Sequence, residues 1–123
     1  MGLDQYAFVT PKESISGDTD FAVPESAKRI AYWRKHPNLQ GWMERLYRAK
    51  GGKDKEFNCA PVRVTLEDLA ALEQAVMEER LPETSGFFFG SSQPEDMDLD
   101  LKFIVDARAA ITAGNAVFYT SWW

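Results

Sequence analysis

Cys59 and His36 are the only cysteine and the only histidine in a chain of 123 residues. One thiol excludes an intrachain disulfide and any zinc site built on cysteines. Any site of the Ser-His-Asp or Cys-His kind would have to pass through that one imidazole. Long apolar runs are missing too, since nothing approaches the roughly 20 residues that cross a bilayer. Met1 to Tyr6 carry no basic stretch and include Asp4, so they do not read as a secretory leader, and Tyr6 stands where a myristoylation signal needs Ser or Thr. The expectation is a cytoplasmic protein with no membrane partner, no metal and no cofactor.

What is present is a soluble balance of 45% hydrophobic and 27% charged residues, rich in rings, with eight Phe, four Tyr and four Trp. The length is that of one domain with one core. The formal charge of −5 is unevenly spread: residues 28–63 hold ten of the 14 basic residues against three acids, a local charge of +7. An acidic scaffold with one basic segment can steer an anion to one side.

The pattern predicts an α+β domain over residues 1–123, about three helices packed on a small mixed or antiparallel sheet. Alternation marks a strand over 2–9. Turn formers and acids between Thr10 and Pro24 mark an exposed loop, the most mobile part expected. Ile30 to Trp33 reads as a strand or as a helix end, with its β-favouring residues pointing to strand. Pro37 opens a helix to about Lys50, with Leu39, Trp42, Met43, Leu46 and Tyr47 on its apolar stripe. Pro61 to Val64 form a short strand. Thr65 and Asp68 then set a capping-box variant for a helix to Arg80, buried through Leu66, Leu69, Leu72, Val76 and Met77. Gly86 to Gly90 reads as a strand. Ser92 is the expected cap of a third helix entered through Pro94 and buried through Leu99, Phe103, Ala107, Ala110 and Ile111, before a last strand from Asn115 to Trp122.

Tyr32, Trp33, Arg34, Lys35 and His36 mix rings and cations more densely than any other segment. In one reading they bind an anionic aromatic ligand, with Arg34 and Lys35 on phosphate and Tyr32 or Trp33 stacking. In the other, Trp33 is buried and the charges pair or stay solvated. Arg45, Arg48, Lys50, Lys53 and Lys55 extend the positive character, or keep a helix face wet. His36 precedes Pro37 near a helix start, with no second histidine and no carboxylate nearby in sequence. Cys59 is expected to be a buried, inert thiol. Gly86 to Ser92 lacks the lysine and small residues of a phosphate loop, and Asp96, Asp98 and Asp100 lack the glycine and distal glutamate of a calcium loop.

Several ordered segments together resemble a family of small proteins common in bacteriophages and prophages. They are Met-Gly-Leu-Asp-x-Tyr (Met1 to Tyr6), Tyr-Trp-Arg-Lys (Tyr32 to Lys35), a helix carrying Trp42, Asn58-Cys59, Leu-Pro-x-Thr-Ser-Gly-Phe-Phe-Phe-Gly (Leu81 to Gly90) and Ser121-Trp122. Gln5 stands where the family usually has Met, and Thr120 where it often has an acid. Members often carry the label phosphoglycerate kinase, which these residues do not support. That enzyme closes two nucleotide-binding domains over its substrates, and no phosphate loop or catalytic cation cluster is present here.

The resemblance implies a phage-associated protein without assigning a reaction. Joined to the basic segment, it gives the leading expectation: a binding protein for a nucleotide-like ligand or a nucleic-acid segment, with Tyr32, Trp33, Arg34, Lys35, His36, Asn58, Thr84 and Ser85 as candidate site residues. The alternative is an acidic module that inhibits or redirects a host protein, using Asp18, Asp20 and the run from Glu95 to Asp100. An enzyme is the least supported class, for want of a recognisable nucleophile and base. A homodimer through the terminal tryptophans is compatible with the sequence.

Overall fold

The computed structural model describes residues 2–86 and 89–123. The alternation near the N-terminus forms β1 (Asp4–Pro11), two residues further along than expected at each end. The Ile30 to Trp33 segment is a strand, β2 (Lys28–Arg34), followed by α1 (Pro37–Ala49), β3 (Val62–Val64), α2 (Leu66–Met77), α3 (Asp96–Thr112) and β4 (Asn115–Trp122). The strands form one antiparallel sheet in the order β2-β1-β4-β3. Among the described residues the result is a single α+β arrangement of three α-helices and four strands. Among the described residues no helix is long and apolar enough to cross a membrane.

The helices cover one face of the sheet. Ala7, Trp33, Val62, Val64, Val117 and Tyr119 point into a core shared with Leu39, Met43 and Tyr47 of α1, Leu69 and Leu72 of α2, and Phe103 and Ile104 of α3. The α2 stripe is narrower than its spacing suggested: Leu66 and Met77, at the helix ends, are exposed, as is Leu99 on α3. Trp42 is only partly buried at the edge of the core, whereas Tyr47 is fully enclosed. The capping box at α2 forms as expected, with Thr65 and Asp68 satisfying each other's backbone amides. Asp68 also takes the ammonium of Lys50, fastening the end of α1 to the start of α2. A two-pronged Arg108 to Glu73 pair, at 3.0 and 2.9 Å, ties α3 to α2.

The segment between Thr10 and Pro24 departs from expectation. It has almost no regular structure, yet it packs as a cover on the second face of the sheet. Ile15 and Phe21 are buried against Ala116 and Phe118, and Phe21 meets Phe118 edge-on at 5.2 Å. Backbone bonds from Asp20 to Pro61 and from Arg63 to Asp18 seat it on the β3 edge. Two apolar residues among many turn formers suffice to anchor such a loop, since each buried side chain contributes about 1.5–3 kcal/mol. The strand expected over Gly86 to Gly90 falls partly on Phe87 and Phe88, which lie outside the described residues. Gly86, Phe89 and Gly90 are not in a strand, and Phe89 packs edge-on against Trp123 at 5.2 Å.

Asp20 holds the cover loop to the far end of α1, accepting from the Tyr47 hydroxyl and, at 2.9 Å, from the Lys53 amide. Partial desolvation works to raise its pKa. The bonds from Tyr47 and Lys53 and the charges of Arg48 and Lys53 outweigh that and hold it below 3.8. A carboxyl with a lowered folded-state pKa contributes stability above its unfolded value and loses it as pH falls through the folded value. Urea denaturation should therefore find Asp20→Asn less stable than the parent at neutral pH, with the gap closing as pH drops below 3.8. A gap that stays constant through that range would show that the Asp20 charge does not fasten the loop.

Candidate functional site

Strand alternation sends neighbouring residues of the aromatic and basic segment to opposite sides of the sheet. Trp33 goes inward: it is 1% exposed, its ring lies edge-on to Phe103 at 5.2 Å, and its indole N–H donates to Asp100 Oδ1 at 2.9 Å. The expectation that Trp33 could stack on a ligand therefore fails, because its ring is core. Tyr32 and Arg34 go outward. Their register partners on β1 and β4 assemble two rows on the second face, Arg34-Asp4-Trp122 and Tyr32-Tyr6-Thr120.

These rows lie beyond the reach of the cover loop. Trp122 is 63% and Tyr32 39% exposed. Tyr6 packs against Tyr32 at 5.4 Å, and the Arg29 guanidinium sits over the Tyr32 ring at 5.3 Å. The Tyr32 hydroxyl donates to Asp4 at 2.7 Å, and Arg34 lies 3.8 Å from the same carboxylate. Hydrogen bonding to Asp4, then desolvation, raises the Tyr32 pKa, so the phenol stays protonated and keeps its ring pinned over the sheet. The face thus carries exposed rings two strands apart, flanked by Arg29 and Arg34, with one acid between them.

The helix-covered side holds a second arrangement, at the junction of β2 with α1. Lys35 turns the chain in the left-handed region (φ 62°), and its amide donates to Leu3 O at 2.8 Å. His36 follows as the N-terminal cap residue of α1 and is buried. Gln5 clasps its main chain on both sides: His36 N–H donates to Gln5 Oε1 at 2.8 Å, and Gln5 Nε2 donates to His36 O at 2.9 Å. The imidazole then reaches α3, where Nε2 lies 2.9 Å from Asp100 Oδ2. Its Nδ1 lies 2.7 Å from Ser92 Oγ and 3.6 Å from Asp96. The sequence left His36 without a nearby carboxylate; the fold supplies two, Asp96 and Asp100, from α3.

Ser92 does not cap α3, whose cap residue is Glu95. Its hydroxyl instead accepts the Asn38 amide of α1 at 3.1 Å. An open cleft of about 430 Å³ begins at this point, lined by His36, Asn38, Ser92 and Asp100 together with the apolar Val76, Leu81, Pro94 and Met97.

The remaining candidates do not join the sheet face. Thr84 N–H donates to Asn38 Oδ1 at 3.1 Å, and Thr84 and Ser85 line grooves on the helix side. Asn58 bonds both ways with the Trp123 backbone and anchors the last residue. The aliphatic part of Lys35 lies against Gly90, where a Cβ would approach its Cδ to 2.9 Å. Of the basic stretch, Arg48 serves the 54–55 backbone and Lys50 serves Asp68 and Arg63 O. Cys59 is exposed rather than buried, in a left-handed turn (φ 58°) that points its side chain outward. No protein-family model, no curated protein and no solved structure matches the chain.

Gln5 Nε2 also donates to the Tyr119 hydroxyl at 2.9 Å, and Tyr119 passes its own proton on to Gln40 Oε1. Complete burial raises the Tyr119 pKa far beyond its ordinary value, so this relay stays neutral. Replacing Gln5 with Met keeps the volume but strands His36 N–H and a Tyr119 lone pair, and leaves His36 O with the Gln40 amide at 3.2 Å as its remaining donor. An unmade bond to a buried group costs about 1–3 kcal/mol. Chemical denaturation of Gln5→Met should show a loss of at least that size, and an unchanged midpoint would show that the clasp contributes nothing.

Proposed function

We propose that the chain is a phage-associated binding protein that takes a single-stranded nucleic-acid segment on the open rows of its sheet. The phage association rests on the resemblance set out above. The observation that carries the ligand class is the pair of exposed rings, Tyr32 and Trp122, on a sheet face flanked by Arg29 and Arg34. Two strand spacings and an offset of two residues along the strands put the backbones of Tyr32 and Trp122 roughly 12 Å apart, a span that two splayed bases can bridge. Four-stranded antiparallel sheets with surface aromatics are a recurrent platform for splayed bases. The Asp4–Arg34 pair does not stand in the way. With Arg34 52% exposed, such a pair is worth about 0–1 kcal/mol, and a phosphate offers the guanidinium a comparable partner. The Tyr32 bond to Asp4 helps, since it fixes the ring before a base arrives.

Fluorescence anisotropy with short single-stranded oligonucleotides at low salt tests this. Tyr32→Ala should weaken binding by about 5- to 150-fold, the loss of one base stack of about 1–3 kcal/mol. Arg29→Ala with Arg34→Ala should lower the slope of log affinity against log salt by about 1.4, two phosphate contacts at about 0.7 each on a single strand. No binding to any single strand at low salt, or variants that bind as the parent does, would overturn the reading. A stoichiometric host protein recovered after nuclease treatment, with no oligonucleotide binding, would favour the interaction-module alternative.

A further inference from the structure

We infer that Ser92, His36 and Asp100 form a nucleophile relay that cleaves a carboxylic ester bound in the adjoining cleft. The inference is independent of the sheet face, because the relay lies on the helix-covered side and shares none of its side chains. Three distances carry it: 2.7 Å from Ser92 Oγ to His36 Nδ1, 2.9 Å from His36 Nε2 to Asp100 Oδ2, and 2.9 Å from the Trp33 indole nitrogen to Asp100 Oδ1.

The partners assign the tautomer. Trp33 and His36 both donate to the Asp100 carboxylate, so the imidazole carries a proton on Nε2, and in the neutral ring Nδ1 is the acceptor, with the Asp96 carboxylate 3.6 Å from it. Ser92 then donates to Nδ1 and accepts the Asn38 amide. This is the order nucleophile, base, orienter, with the two imidazole nitrogens exchanged relative to the best-known proteases; roles and geometry define such a relay, not atom names. Ser92 is the half-exposed member and opens on the cleft, whereas His36 and Asp100 are 3% and 2% exposed.

The step balances as follows. Ser92 Oγ bonds to the ester carbonyl carbon and its proton moves to His36 Nδ1, giving an imidazolium held by Asp100. The C–O bond to the alcohol breaks and that proton leaves with the alcohol. Water, deprotonated by the same nitrogen, then attacks the acyl-serine and releases the acid, restoring Ser92. Asn38 N–H, the first amide of α1 because Pro37 has none, donates to Ser92 Oγ at 3.1 Å and occupies one of its lone pairs, which leaves the hydroxyl proton directed at His36 Nδ1. Val76, Leu81 and Met97 suit a short apolar acyl group, while Asp96 and Glu79 at the cleft disfavour an anionic one. The substrate class is therefore a neutral ester of a short-chain acid.

The test uses the whole chain, a fluorophosphonate probe and p-nitrophenyl butyrate. Intact-mass and peptide mapping should find one adduct per chain on Ser92, with fluoride expelled, and the ester should be turned over. Ser92→Ala, at a half-exposed position, should keep the fold and lose both. Asp100→Asn should retain the Trp33 bond but donate to His36 Nε2, moving the imidazole proton to Nδ1, where it cannot accept from serine. Labelling should then slow by about 10⁴-fold. Because His36 is the only histidine, its two ¹⁵N shifts report the tautomer unambiguously. Folded parent protein that leaves Ser92 unmodified under excess probe would overturn the inference. So would an Asp100→Asn variant with the flipped tautomer that labels at the parental rate, for then the three residues only clamp the 91–95 turn to α1.

Discussion

The junction of β2 and α1 depends on one buried amide. A helix that starts directly after an edge strand brings its first backbone groups into the core, where an unpaired N–H or C=O is costly. Gln5 accepts the His36 N–H, which α1 leaves without a helical partner, and adds a second donor to the His36 carbonyl beside the Gln40 amide. Lys35 bends the chain through a left-handed residue to reach this position, a conformation that costs about 1–2 kcal/mol for a residue with a Cβ. With the main chain clasped, the imidazole has one direction left, across to α3. The buried network of Trp33, His36 and Asp100 follows from that constraint.

The same strand serves two surfaces because its residues alternate. Trp33 faces inward and orients Asp100, while Tyr32 and Arg34 face outward on the rows shared with Asp4 and Trp122. One segment of sequence thereby builds two chemically different places, separated by the thickness of the sheet. The cover loop sharpens the division: Ile15 and Phe21 shield Phe118 and leave the rows through Asp4 and Tyr6 uncovered.

Local rules reached most of the fold and little of the site. The amphipathic stripe of α1 and the Thr65–Asp68 box are patterns within a dozen residues and appear where their spacing placed them, and the alternation expected over 2–9 forms a strand two residues further along. The cover loop was misjudged because its anchors are two residues in a polar stretch and their partners are on β4. The partners of His36 were out of reach of local rules for a stronger form of the same reason: Ser92 and Asp100 lie 56 and 64 positions away and only the packing of α3 brings them in. The available signal was weak but physical. Asp100 interrupts the apolar positions around Leu99, Leu101 and Phe103, and an acid 2% exposed needs donors.

The charge map changes meaning in the same way. The ten basic residues of the 28–63 segment looked like one surface, yet the fold divides them by element. Arg48 and Lys50 are spent on backbone carbonyls and Asp68 at the end of α1, holding turns. Arg29 and Arg34 remain on the sheet face beside exposed rings, with Lys28 exposed at the same strand's start. A local sum of +7 therefore overstates the steering field. Its directed part belongs to β2, where the Arg29 guanidinium sits over the exposed Tyr32 ring and Arg34 stands beside it.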